Sequence, residues 1–70
     1  MPLSMANAGQ SICIHQIHGK DETRRFLENL GFTAGERITV VTKIQGNLIV
    51  NVKDTRIAIS NAMANKIHVD

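Results

Sequence analysis

Residues 21 to 41 decide the fold, and they read D-E-T-R-R-F-L-E-N-L-G-F-T-A-G-E-R-I-T-V-V. Asp21 carries a carboxylate that can accept hydrogen bonds from the free amides of a first helical turn, so we predict that it is the N-cap of a helix. Mainly apolar residues then recur with helical spacing, which predicts a stripe that faces the core. The residues of this stripe are Thr23, Phe26, Leu27 and Leu30.

The helix is predicted to end at a glycine. Gly31 stands where a left-handed C′ residue is needed, and Phe32 can fold back on Leu27, which is the contact of a Schellman ending. The next four residues, T-A-G-E at 33–36, fit a type II turn in which Gly35 supplies a positive φ. A strand is then expected to begin at Arg37.

Before the helix, residues 11–17 alternate in the way of a strand, and a bulge near Gln16 is needed to keep the apolar residues on one face. A short helical turn at 61–65, capped by Ser60, and a last strand at 67–69 close the chain. The side chains expected to point inward in the first part of the chain are those of Leu3, Met5, Ile12, Ile14 and Ile17.

The second half predicts a meander of three strands at 37–44, 48–53 and 56–59, joined by turns rich in Gly, Asn and Asp. Ile49 is expected to be an exposed apolar residue. The inward side chains of the meander are expected to be those of Ile38, Val40, Thr42, Leu48, Val50, Val52, Ile57 and Ile59.

These elements predict a mainly β fold. The expected architecture is a small SH3-like β-barrel of about five strands, with one α-helix after the first strand and a short helical turn before the last strand. The last strand pairs most simply with the first strand or with a neighbour of it. Seventy residues form a single domain, residues 1–70, with little room for a deep active site.

Composition excludes several classes of function. The net charge is only +2, and the chain has two Phe but no Trp or Tyr, so an RNA- or DNA-binding surface is not expected. No apolar run approaches the ~20 residues of a membrane span, which predicts no direct insertion into a membrane. The single cysteine fits a reducing, cytoplasmic location. No phosphate-binding loop or nucleophile motif is present, so we do not expect an enzyme.

Two groups of residues could form sites. Soft sulfur and imidazole suit zinc or ferrous iron, so the first group is a candidate metal site, although two surface histidines and a small half-buried thiol without a ligand are the simpler explanation. The second group could bind a partner protein, and solvated charges with scattered apolar residues are the alternative. The candidate metal ligands are Cys13, His15, His18 and His68. The candidate partner-binding residues are Lys20, Arg24 and Arg25 on the helix, and Val41, Ile44 and Ile49 on the hairpin.

The chain resembles the FeoA family of bacterial ferrous iron transport proteins. The resemblance runs from about Leu3 to Val69 and is most specific in L-G-F-T-A-G-E at 30–36 and in I-A-I-S-x-x-x-A-x-x-I at 57–67. The family usually has Pro in the turn where this chain has Ala34. Alanine reaches the same φ without being fixed there, so the difference affects mainly the entropy of the unfolded chain.

This resemblance implies a cytoplasmic accessory protein that contacts the membrane ferrous iron permease and its cytosolic GTPase domain, without catalysis. It also implies that a transition metal, Fe(II) or another divalent ion, could bind. The alternative is an SH3-like regulatory barrel that binds a metal-dependent transcriptional repressor. The sequence leaves the choice between monomer and homodimer open.

Overall fold

A computed structural model describes residues 1–70 as five strands and two α-helices that follow a short 3-10 turn. All strand pairs are antiparallel, and the sheet order is β4-β3-β2-β1-β5. The predicted mainly β architecture is therefore confirmed. The elements in chain order are the 3-10 turn Leu3–Met5, β1 (Ser11–Ile17), α1 (Asp21–Asn29), β2 (Arg37–Ile44), β3 (Asn47–Val52), β4 (Thr55–Ser60), α2 (Asn61–Ala64) and β5 (Ile67–Val69).

One hydrophobic core holds the strands and helices together. It contains 15 buried apolar residues, contributed by all five strands, both α-helices, the 3-10 turn and the segments beside them. No polar or charged side chain is buried. Every charged or hydroxyl-bearing group therefore lies at or near the surface, where it is available to solvent or to a ligand.

The start of α1 differs from the prediction. Lys20, in an extended conformation, is the N-cap, and its side chain makes no capping hydrogen bond. Asp21 is the first helical residue, and its carboxylate accepts a 2.7 Å hydrogen bond from Arg24 instead of capping amides. The prediction of Asp21 as the N-cap is thus wrong by one residue. The carboxylates of Asp21 and Glu22 still lie at the positive end of the helix dipole.

The end of α1 is the predicted Schellman motif. The amide of Gly31 donates to the Glu28 carbonyl at 3.0 Å, and the amide of Phe32 donates to the Leu27 carbonyl at 3.0 Å. Gly31 has φ 108°, while Phe32 and Leu27 are fully buried. The glycine and the two apolar residues therefore end the helix and anchor it to the core together.

The type II turn at residues 33–36 is also confirmed. The amide of Glu36 donates to the Thr33 carbonyl at 3.0 Å, and Gly35 has φ 87°. The turn is tied to β1, because the Gly35 amide donates to the Ile14 carbonyl at 2.8 Å and the Ile14 amide donates to the Glu36 carbonyl at 2.9 Å. These bonds set the position of α1 relative to β1.

Two apolar side chains that were expected in the core lie in solvent. Phe26 is 53% exposed and Met5 is 67% exposed. Leu27 is the one fully buried residue of α1, and Phe26 is turned away from it by about 100°, the rotation of one residue in an α-helix. In the 3-10 turn, Leu3 is buried, and the next residue along, Ala6, takes the inward position that we had expected for Met5.

Bulges in β1 and β2 decide which side chains face outward. The register of β1 on β5 shifts between Ile14 and Gln16, as predicted. The register of β2 on β3 also shifts between Val40 and Thr42, which was not predicted. Thr42 therefore stands opposite Ile49 on the outer face, so its expected inward position is wrong. Ile49 itself is half-buried and not exposed as expected.

The last elements close the chain on itself. The amide of Met63 donates to the Ser60 hydroxyl at 3.2 Å, which confirms the predicted cap of α2. β5 pairs with β1, also as expected. On the other side of β5, Met1 and Val69 exchange two hydrogen bonds of 2.9 and 2.8 Å. β4 remains at the edge of the sheet, and its Ile57 is only half-buried, although we had expected it to be buried.

Candidate functional site

The pairing of β1 with β5 brings together two of the four candidate metal ligands. Gln16 lies opposite His68, Ile17 lies opposite Ile67, and the amide of His18 donates to the Lys66 carbonyl at 2.7 Å. His18 and His68 are thus diagonal neighbours on the outer face, which is close enough for aromatic side chains to touch. Their ring centroids are 4.1 Å apart, and the rings meet edge to face at 69°.

The other two candidate ligands lie nearby but are engaged differently. Cys13 is half-buried, and its carbonyl accepts a 3.2 Å hydrogen bond from the amide of Asp70. His15 is exposed, and its Nδ1 lies 3.7 Å from Oδ1 of Asp70. No three His, Cys, Asp or Glu side chains are arranged to hold a metal ion together. The four residues share one region of the surface, but only His18 and His68 are in contact with each other.

The surroundings of His68 favour its neutral form. Partial burial lowers the pKa of His68 below its ordinary value of 6.5, because it removes water from the imidazolium cation. Repulsion from His18, from the amino-terminal ammonium group and from His15 lowers the pKa further. At neutral pH the ring therefore has a free nitrogen lone pair.

Gln16 completes this surface, although no motif in the sequence singles out its side chain. Its Nε2 lies 3.2 Å from Nε2 and 3.5 Å from Nδ1 of His18. Gln16 is also the cross-strand partner of His68, so the two side chains lie on the same outer face. The bulge that we predicted at this residue was the signal that could have placed it on the outer face.

The basic residues of α1 face an open cleft between the helix and the end of β1. The cleft has a volume of about 360 Å³ and is lined by Arg24 and Arg25, but also by Asp21 and Glu28. Arg24 is paired with Asp21, whereas Arg25 forms no ion pair. Two positive and two negative groups balance each other, so the cleft is not a pocket for a simple anion. Lys20 is exposed at the N-cap of the helix.

The exposed face of α1 contains an aromatic residue that the sequence had assigned to the core. Phe26 and Arg25 are adjacent in the chain and both are exposed. Aromatic residues and arginine are the types most often found at the centres of protein interfaces. Adjacent residues of a helix point about 100° apart, so Phe26 and Leu27 cannot both point directly at the core. This geometry could have identified Phe26 as an exposed residue.

The hairpin residues form a second surface, on the outer face of β2 and β3. Thr42 lies opposite Ile49, and Ile44 lies opposite Asn47, so their side chains share the face that points away from the core. Val41 lies within the bulge between Val40 and Thr42. Ile44 is 51% exposed, and Val41 and Ile49 are half-buried. Ile44 and Ile49, two of the three apolar residues that we predicted as a partner surface, therefore share one face, and their binding to a partner stays a prediction.

The fold and its surface define a class of protein. The molecule is a small SH3-like barrel with one covering helix and with its polar groups at or near the surface. Neither of its helices has the length and apolar character needed to cross a membrane.

Comparison with known proteins then gives the family. The FeoA domain model matches residues 1–70, so the chain belongs to the FeoA family of ferrous iron transport proteins. A protein of Methanocaldococcus jannaschii whose name assigns it to Fe(2+) transport protein A is 28% identical over 69 residues, which are 99% of this chain and 84% of that protein. The Stenotrophomonas maltophilia FeoA, described as an SH3 domain protein in complex with zinc, is 32% identical, with a TM-score of 0.88 over 100% of this chain and 89% of that one.

The same fold occurs in proteins of another kind. A manganese-dependent transcriptional repressor superimposes with a TM-score of 0.90 over 99% of this chain, at 17% identity. This chain covers 40% of the repressor, so the likeness concerns one part of a larger protein and shows the fold alone.

Proposed function

We propose that this chain is a cytoplasmic accessory protein of ferrous iron transport, which acts by binding to the cytosolic GTPase domain of the membrane iron permease and not by catalysis. Membership of the FeoA family over the whole chain supports a role in transport. The observation that carries the mode of action is the exposed pair Arg25 and Phe26 on α1, because arginine and aromatic residues are the types most often found at the centres of protein interfaces.

The exposed face of α1 is the proposed docking surface. Arg25 can pair with a carboxylate of the partner, since it has no carboxylate partner within this chain. Phe26 can enter an apolar pocket and lose its contact with water. Lys20 lies at the N-cap of the same helix, and Arg24 could contribute by exchanging its bond to Asp21 for one to a carboxylate of the partner. The hairpin surface of Val41, Ile44 and Ile49 is the second possible contact within the same function.

A two-dimensional amide NMR titration with the purified GTPase domain tests this proposal. Docking through α1 predicts shifts of the amides of residues 20–29, with few shifts elsewhere. Arg25→Glu should abolish these shifts, while Arg56→Glu, the same change of charge at an exposed position of β4, should leave them unchanged. Shifts confined to the hairpin, sensitive to Ile44→Glu, would move the docking surface there. An unchanged spectrum at high excess of the domain would contradict the proposal.

Binding to a metal-dependent repressor is the second candidate function. It is suggested by the fold that this chain shares with one part of such a repressor. The repressor replaces the GTPase domain in a parallel titration. A response to the repressor alone would favour regulation of transcription over transport. Sedimentation of this chain by itself, before either titration, decides between monomer and homodimer.

A further inference from the structure

The outer face of the β1 and β5 pair has a second property, independent of partner docking. Two imidazole rings come into contact there from positions 50 residues apart in the chain, His18 and His68. Neither ring forms an ion pair, whereas His15 lies beside the carboxylate of Asp70. The side chain of Lys66, which is opposite His18 in the ladder, runs toward Gly19, where its Cδ lies 3.4 Å from the position that a Cβ would occupy.

From this arrangement we infer that His18 and His68 together bind one divalent transition-metal ion, with the Gln16 carboxamide oxygen as a further ligand. Imidazole nitrogen and amide oxygen are donors that zinc, nickel, copper and ferrous iron accept. The contact between the rings means that a small rotation of each side chain can aim one nitrogen of each ring at a common point. Water would complete the coordination.

The geometry favours a neutral donor pair over a protonated pair. Two imidazolium cations whose ring centroids are 4.1 Å apart would repel each other. The Nε2 atom of Gln16 is within hydrogen-bonding distance of the His18 ring. A half-turn of the carboxamide would put the Gln16 oxygen in place of that nitrogen, where it could act as a ligand. The site therefore needs side-chain rotations but no change of the backbone.

A site with two imidazoles has no means of selecting iron. The affinities should follow the general order for divalent ions, with copper tightest, zinc and nickel next, and ferrous iron and manganese weaker. The thiol of Cys13 is not part of the site in this inference. The nearest alternative site is the pair of His15 and Asp70, and these two residues provide a matched control within the same chain.

The test is a titration of the untagged chain with zinc chloride, in metal-free buffer at a pH above the ordinary imidazole pKa, followed by the NMR signals of the imidazole rings. The rings of His18 and His68 should shift together and saturate with one common dissociation constant. His68→Gln and His18→Gln should each weaken zinc binding by at least about tenfold, because the loss of a direct ligand should cost no less than the roughly 10–100-fold that the loss of an outer-shell partner costs. His15→Gln and Cys13→Ser should change the dissociation constant by less than about twofold on the same scale.

Several results would overturn the inference. These are an absence of imidazole shifts at millimolar zinc, a loss of binding in His15→Gln equal to that in His68→Gln, or tighter binding of ferrous iron than of zinc. Amide spectra of each variant show that it is folded. If His68→Gln does not fold, His18→Gln, which changes an exposed residue outside the strands, decides the question alone. The zinc titration contains no permease, so its failure would leave the docking proposal intact. Failure of the titration with the GTPase domain would likewise leave the proposed metal site intact.

Discussion

A Cβ atom placed on Gly31 would lie 2.9 Å from Cγ1 of Val52, a distance that real Cβ contacts essentially never show. Gly31 also has φ 108°. The end of α1 is thus pressed against β3 at a point where only a glycine fits. Gly31 therefore meets two constraints at once, the close approach of β3 and a positive φ.

Gly31→Ala should reduce the free energy of unfolding by roughly 2 kcal/mol or more, because the left-handed conformation and the contact with Val52 both oppose the new methyl group. Gly35→Ala is the control, since Gly35 has φ 87° but open space around it, and it should cost only about 1 kcal/mol. Urea unfolding measures both values. Equal losses in the two variants would mean that the contact with Val52 does not matter.

Ala34→Pro should stabilise the protein by about 0.4–1 kcal/mol. Ala34 is exposed at the second position of the type II turn, where proline is favoured, and its amide makes no backbone hydrogen bond. Denaturant unfolding should show a higher midpoint with the same slope. Thr33→Pro is the matched control: the amide of Thr33 donates to the Gly31 carbonyl at 3.0 Å, so proline there should destabilise the protein.

The stability of the protein should fall as the pH falls from above 6.5 through the lowered pKa of His68. In this range the unfolded chain, whose His68 has the ordinary pKa of 6.5, binds a proton more readily than the folded chain does. Unfolding by urea at a series of pH values measures the slope. In His68→Gln the slope should be smaller. If the NMR titration of the wild-type His68 ring gives a pKa at or above 6.5, the prediction is wrong.

Phe26→Ala should weaken binding to the GTPase domain by at least about fivefold while leaving the fold stable, because a side chain that is half in water contributes little to the core. Leu27→Ala, one residue further along, is the opposite case. Leu27 is fully buried, so its truncation should cost about 2–5 kcal/mol of stability. Calorimetry of binding and thermal unfolding distinguish the two effects. A strong loss of stability in Phe26→Ala would contradict this view of α1.

Local signals in the sequence were enough to predict most of the fold. The Schellman end at Gly31, the type II turn at Gly35 and the cap at Ser60 each depend on a few neighbouring residues, and all three are confirmed. The pairing of the last strand with the first strand was also expected, as the simplest way to close the barrel. These features required no knowledge of distant contacts, which is why they could be found.

The errors came from features that the rest of the molecule decides. The bulge in β2 arises from how β2 pairs with β3, and it moved Thr42 to the outer face. The stripe of α1 includes Phe26 by spacing, but in the folded chain Leu27 is fully buried and Leu30 packs against the core, while Phe26 lies in solvent. The contact between His18 and His68 depends on the β1 and β5 register, which spacing within either strand does not determine.

The pairing of β1 with β5 has a consequence for how the protein folds. Residues 14 and 69 are partners, so this ladder closes a loop of almost the whole chain, and such pairings form slowly compared with the β2, β3 and β4 hairpins. We expect the meander to form early and β5 to dock late. His18 and His68 meet only in that final step, and zinc added during refolding would therefore report the arrival of the last strand.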